Sequence, residues 1–187
     1  MINNAGLGPT GDFLSHDRAT ESASIQVNVQ ALVGLSHVLG AKMISQDVGG
    51  IISLASNAAF QLLPHIATYT AAKAFVVHFS EALKIGLKGR CVQVMAVFPW
   101  PTATGFFEGV STKMKGVAFD SAEMVVGRIL RSFDQKKSVA YPGRFSVRHL
   151  ACSPTLPQRR RQRCGVGDGQ DGSGLANIGR IASMMHS

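Results

Sequence analysis

A phenol and an ammonium stand one helical turn apart in Tyr69-Thr70-Ala71-Ala72-Lys73. At positions i and i+4 of a helix, two side chains share a face. A tyrosine with its ordinary pKa of about 10 is a weak acid–base catalyst at neutral pH. A neighbouring cation favours the phenolate and draws that pKa down, and a shift of two to three units asks about 3–4 kcal/mol of the site. Isolated, such a pair is commonly an ordinary helix-surface contact. Its surroundings change the reading. Ser56 stands 13 residues earlier, just past the apolar run Ile51-Ile52-Ser53-Leu54-Ala55, which has the length of a strand. Ligands of open parallel sheets bind beyond such strand ends. Asn28 sits within Val27-Asn28-Val29-Gln30-Ala31, a helical stretch where asparagine opposes propensity and needs a reason. Asn3-Asn4-Ala5-Gly6 closes a first short strand and leads into a glycine turn.

The elements that must position these groups follow from hydrophobic spacing. Ile25, Val29, Leu32, Leu35, Leu39 and Met43 predict one long helix over about residues 21–46, stopped by Gly49-Gly50. Phe75, Phe79, Leu83 and Leu87 predict a second over about 68–87, ended by Gly89. The segment from Cys91 to Phe98 is rich in β-branched residues and is cut off by Pro99, so it reads as a strand. Asp120 with Glu123 resembles a capping box ahead of Met124, Val125, Ile129 and Leu130, a third helix. Val139-Ala140-Tyr141 is the last strand. Strands alternate with helices, and the apolar runs lack alternation, as in strands covered on both faces. The expected fold class is α/β, a doubly wound parallel sheet.

In order and spacing, Asn3-Asn4-Ala5-Gly6, Asn28, Ser56 and Tyr69-x-x-x-Lys73 resemble the short-chain dehydrogenase/reductase family over about residues 1–143. The loop Pro99-Trp100-Pro101-Thr102-Ala103-Thr104 is similar to that of its broad-specificity bacterial-type reductases. The resemblance implies a Rossmann-like sheet and an NAD(P)-dependent oxidoreductase that interconverts a carbonyl and a secondary alcohol. Tyr69 would then be the general acid/base. Lys73 would lower the Tyr69 pKa and hold the nicotinamide ribose. Ser56 would orient the substrate oxygen. Asn28 would hold a proton-relay water at a helix irregularity. Asn4, Ala5 and Gly6 would lie along the adenosine side of NAD(P)H. Pro99, Thr102 and Thr104 would approach the nicotinamide amide and the phosphates. Bland roles stand beside these: Ser56 as a loop-start hydroxyl, Asn28 at a kink, Asn3 and Asn4 as ties between strands.

Three departures from the family pattern matter. The family's Gly-rich first turn, which presents backbone N–H groups and a helix N-terminus to the pyrophosphate, would precede Asn3, and no later glycine stretch replaces it. The expected sheet is therefore the C-terminal part of the Rossmann-like fold, without the first βαβ units. Trp100 stands where the family has glycine, and an indole there is expected to block close approach of the nicotinamide. Residues 144–187 carry 7 Arg, no Lys and 2 Asp, whereas residues 1–143 carry 12 Lys+Arg and 9 Asp+Glu. With its cluster Arg159-Arg160-Arg161-Gln162-Arg163 and a Gly-rich run, this second segment is expected to be a disordered tail, translated in another frame from about residue 151. The alternative function is accordingly a non-catalytic remnant, a pseudoenzyme fragment lacking the nucleotide fingerprint.

Composition bounds the rest. At 187 residues, 45% hydrophobic and 16% charged, the chain can bury one core. The net charge of +8 is concentrated in the tail, so specific nucleic-acid binding is not expected of the main body. Continuous apolar runs are too short to span a bilayer. Cys91, Cys152 and Cys164 show neither disulfide-framework nor zinc spacing, which fits a reducing, cytoplasmic setting and no metal. The expected partners are a small-molecule carbonyl or alcohol substrate and a second copy of the chain. An open apolar sheet edge is expected to make the chain depend on such a partner.

Overall fold

The structure, a computed structural model, describes residues 1–107 and 117–143. The expected tail lies outside them. Four parallel strands form one sheet in the order β1 (Ile2–Asn3), β2 (Gly49–Leu54), β3 (Val92–Val97), β4 (Val139–Ala140). The register places Ile2 beside Ile52, Ile52 beside Met95 and Ala96 beside Val139. Helices connect consecutive strands: α1 (Arg18–Ile25), a wide π turn (Gln26–Gln30) and α2 (Ala31–Ser45) between β1 and β2; α3 (Ala67–Gly86) between β2 and β3; α4 (Ala122–Asp134) between β3 and β4.

Strand alternation sorts the core onto two faces. Ile51, Val94, Ala96 and Phe98 meet Leu32 and Met43 of α2 and Val76, Val77 and Leu83 of α3. Ile52, Met95 and Val97 meet Val125 and Ile129 of α4. The sheet is thus covered on both sides, the Rossmann-like arrangement expected for continuous apolar strands. Each fully buried side chain such as Ile51, Met95 or Val97 contributes about 1.5–3 kcal/mol. β1 is an outer strand, and Ile2 on it is 58% exposed.

Several element boundaries differ from the sequence expectation. Gly49 and Gly50 do not stop α2. That helix ends at Ser45, the chain turns through Asp47 at φ 54°, and the two glycines open β2. A methyl group on Gly49 would lie 2.4 Å from Met43 Cγ and 2.6 Å from its Cβ, and one on Gly50 would lie 2.2 Å from Phe133 Cζ. The glycines let a helix approach the sheet from each side. Gly49→Ala, which collides with a side-chain root rather than a movable tip, is expected to cost about 2 kcal/mol. Thermal unfolding should then shift down by about 4–8 °C, and an unchanged Tm would show that α2 can move aside freely. Asp120 does not cap α4 either. Ser121 is the N-cap and accepts from Met124 N at 3.3 Å, while Asp120 is buried in a bridge with Thr102.

The continuous rod Arg18–Ser45 is, among the described residues, long and apolar enough by length and composition to cross a membrane. Its buried polar residues Ser24, Asn28 and Ser36 identify the side turned to the protein. Val33, Leu35 and Val38 face outward.

Candidate active site

The carboxyl ends of β1 and β2 and the first turns of α3 bring the chemistry together. Ser56 follows β2 and caps a 3-10 turn (Asn57–Phe60), its Oγ accepting from Ala58 N at 3.1 Å. The Tyr69 phenol lies near enough to this hydroxyl for Ser56 to draw its pKa down, against the effect of burial. Tyr69 stands in the first turn of α3 and Lys73 one turn further on. Lys73 is buried, and its Nζ donates to Leu54 O, at the end of β2, at 2.9 Å. Among the described residues no carboxylate pairs with it. Burial disfavours the ammonium and lowers the Lys73 pKa to about 8.

The phenol behaves differently from the expectation that Lys73 would lower its pKa. Burial raises Tyr69 above 10, and Ser56 alone pulls it back. The reason is placement: Lys73 Nζ sits over the aromatic ring, 5.6 Å from its centroid. A cation over the ring face binds the π-system.

Asn28 lies in the wide turn, where the sequence expectation put a helix irregularity. Its Nδ2 donates to Leu7 O at 2.7 Å and to Ser24 O at 2.9 Å, and Ser24 Oγ donates to the same Leu7 carbonyl at 2.9 Å. Two donors thereby pin the loop after β1. Asn28 Oδ1 is buried without a hydrogen bond. Gly6 separates this oxygen from Lys73: a methyl group there would lie 3.1 Å from Asn28 Oδ1 and 3.5 Å from Lys73 Nζ. Asn28 and Lys73 thus stand on either side of Gly6, and Ser56 and Tyr69 lie at the same end of β2 as Lys73. Asn3 holds elements together, its Nδ2 donating to Ser36 Oγ at 3.3 Å and Ser53 Oγ at 3.4 Å. Asn4 and Ala5 are exposed beside it.

The loop after β3 folds on itself. Thr102 Oγ1 donates to Trp100 O at 2.8 Å, and Thr104 Oγ1 to Thr102 O at 3.4 Å. Pro99 is half-buried at its start. The Trp100 indole donates to Ala118 O at 2.9 Å. It therefore ties the two stems of the loop together. Thr102 and Thr104 hydrogen-bond within their own loop, and Phe106 of the same loop meets Tyr69, with ring centroids 5.6 Å apart. Sequence reasoning missed Phe106, Gly8 and Ser24. For Ser24, the spacing of four residues to Asn28 was the available signal.

A dinucleotide can be tested against these groups. The unspent oxygen of Asn28 and the singly bonded Lys73 amine suit ribose hydroxyls at the nicotinamide end. The pyrophosphate end does not fit the turn that follows β1. Gly6-Leu7-Gly8-Pro9-Thr10-Gly11 has fingerprint spacing, yet Gly11 N donates to His65 O at 2.9 Å. The helix beyond opens only at Arg18, with the carboxylate of Asp17 as its cap, so the positive helix end is already answered by an anion.

Comparison with known proteins matches this picture. The family model described as short chain dehydrogenase matches residues 1–115. The uncharacterized oxidoreductase YvrD of Bacillus subtilis (strain 168) is 31% identical over 118 residues, 63% of this chain and 44% of that protein. The 17-beta-hydroxysteroid dehydrogenase type 3 of Mus musculus is 29% identical over 121 residues, 63% of this chain and 39% of that protein. The chain thus matches less than half the length of these two curated relatives. A short-chain dehydrogenase from Sphingobium yanoikuyae, solved in complex with NADPH, shares the fold at a TM-score of 0.74 and 22% identity, covering 92% of this chain and 67% of that one.

Proposed function

Because this chain belongs to the short-chain dehydrogenase family, we propose that it is an NAD(P)-dependent oxidoreductase interconverting a carbonyl and a secondary alcohol. The observation that carries the reading is the convergence of Ser56, Tyr69 and Lys73 at the end of β2. NAD(P)H, when bound, supplies the hydride. Ser56 donates a hydrogen bond to the substrate oxygen and orients it. Tyr69 gives its phenolic proton to that oxygen as the alcohol forms. Lys73 and Asn28 hold the ribose end, and Asn28 Oδ1 is placed to accept from a hydroxyl or a water that returns the proton. Burial favours the neutral phenol of Tyr69, the form that donates a proton to the carbonyl oxygen during reduction.

Among the described residues the β1–α1 turn offers no pyrophosphate cradle, and a second reading, a non-catalytic member of the family, follows if none is supplied elsewhere. Titration with NADPH and with NADH, followed by nicotinamide fluorescence, separates the two. Saturable binding in the micromolar range is expected for the enzyme. Absence of binding up to millimolar concentration would establish the non-catalytic reading.

A further inference from the structure

We propose that Phe106 is a specificity-determining residue that selects carbonyl compounds bearing a flat apolar substituent, an aryl ketone being the type; this deepens the oxidoreductase reading above and rests on it. The Phe106 ring lies against the Tyr69 ring at 5.6 Å and 43°. Space for that contact is made by Gly8 on the opposite loop: a methyl group there would stand 2.9 Å from Phe106 Cζ and 3.1 Å from Tyr69 Cδ2. Two loops far apart in sequence therefore meet at the proton-donating residue, one supplying a ring and the other removing a side chain to admit it. The ring belongs to a chain of edge-to-face contacts, Phe106 to Phe107 at 5.1 Å and Phe107 to Phe119 at 5.2 Å. The backbone beneath is braced by the Thr102–Asp120 bridge and by Phe106 N donating to Thr104 Oγ1 at 3.4 Å.

The wall is incomplete. Phe106 is 40% exposed and Phe119 39%, although both belong to a packed aromatic group. An aromatic surface left open beside a proton donor matches a ligand with its own ring, which gains stacking contact and loses apolar area to water together. Among the described residues the wall is built of Phe106, Phe107 and Phe119, and Lys73 is turned to the Leu54 carbonyl, so these residues offer no charge to a carboxylate or phosphate substituent.

The test uses the full chain without cofactor, so that it reads binding and not turnover. Acetophenone and acetone are titrated by ligand-observed saturation-transfer NMR against the wild type and the variants Phe106→Ala, Phe106→Leu, Gly8→Ala and Val38→Ala. Circular dichroism confirms that each variant is folded. The wild type is expected to bind acetophenone at least tenfold more tightly than acetone. Phe106→Ala should weaken acetophenone about tenfold and leave acetone unchanged, and Gly8→Ala, which also crowds the Tyr69 ring, should weaken acetophenone by a similar factor. Phe106→Leu should fall between, and Val38→Ala, exposed on α2, should match the wild type. Equal affinity for the two ketones, no binding of either, or an acetophenone affinity indifferent to Phe106 would overturn the proposal. Turnover in the presence of NADPH or NADH is recorded separately. Tyr69-dependent turnover with no Phe106 effect sinks the specificity assignment alone. Phe106-dependent binding with no turnover sinks the oxidoreductase reading alone.

Discussion

Tyr69→Phe is expected to lower carbonyl reduction by a factor of about 10²–10⁴ while the chain stays folded and its cofactor affinity is preserved. The figure is the usual contribution of a positioned acid–base group, and the change removes one oxygen and nothing else. Ser56 keeps a partner after the substitution, because its hydroxyl also caps the Ala58 amide. The ring keeps its contact with Phe106. Thermal unfolding should therefore move by only a degree or two, separating a chemical defect from a structural one. The wild-type pH profile carries the same information. With the phenol above 10, reduction should be flat through the neutral range, since the proton to be donated is already in place. Alcohol oxidation, which needs the phenolate, should climb as pH rises toward that value. Turnover that survives in the phenylalanine variant would show that another group supplies the proton.

Lys73→Met should be at least as stable as the wild type at neutral pH and yet inactive. The physical origin is a buried ammonium with a single carbonyl for company. Its pKa falls from 10.5 to about 8 on folding. The unfolded chain thus holds a proton that the folded chain has released between those two values, and wild-type stability rises with pH across that window. The difference is worth about 3 kcal/mol. Below pH 8 the folded chain carries that cost in full, and methionine of similar reach removes it. Loss of the bond to the Leu54 carbonyl returns about 1–3 kcal/mol of it, leaving a net gain between nothing and about 2 kcal/mol. The cleaner readout is the slope. Urea unfolding at pH 7, 8.5 and 10 should show the wild type gaining about 3 kcal/mol on the variant. Above pH 10 the trend reverses, because unfolding then lets Tyr69 ionise more readily than in the folded chain. Parallel pH profiles for the two proteins would mean that Lys73 is not desolvated. Activity should fall because the ribose end loses its donor.

Local codes explain how much of this was legible beforehand. Tyr69 and Lys73 meet through helical spacing, Ser56 follows an apolar run, and the asparagine inside a helix marked the wide turn. Each is a statement about neighbours in sequence, where the physics of one element suffices. The doubly covered sheet was legible in the same way, from strands without polar alternation. What escaped depends on contacts between distant segments. Phe106 reaches Tyr69 across 37 positions of sequence, and Gly8 makes room for it from the other side. For Trp100 the residue type was visible and the Ala118 carbonyl that takes its N–H was not. Asp120 resembled a cap by spacing, but Ser121 held the better position and Asp120 was claimed by the bridge to Thr102. The direction of the Tyr69 shift was missed for a related reason: sequence shows that a cation is near, and not whether it faces the oxygen or the ring.

The wide turn also governs the phase of the whole rod it interrupts. Ser24, Asn28, Leu32, Ser36 and Gly40 are all buried, at an unbroken interval of four. In an uninterrupted α-helix each such step overshoots a full rotation by about 40°, so the row would wind roughly 160° around the cylinder before reaching Gly40. One slack turn takes back part of that drift, and the two halves address the same side of the protein with separate angular settings. Tightening Gln26–Gln30 to ordinary α-helical geometry without removing a residue would add the drift back and rotate Ser24 about the rod, carrying its hydroxyl away from the Leu7 carbonyl while every downstream seat on the sheet stayed filled.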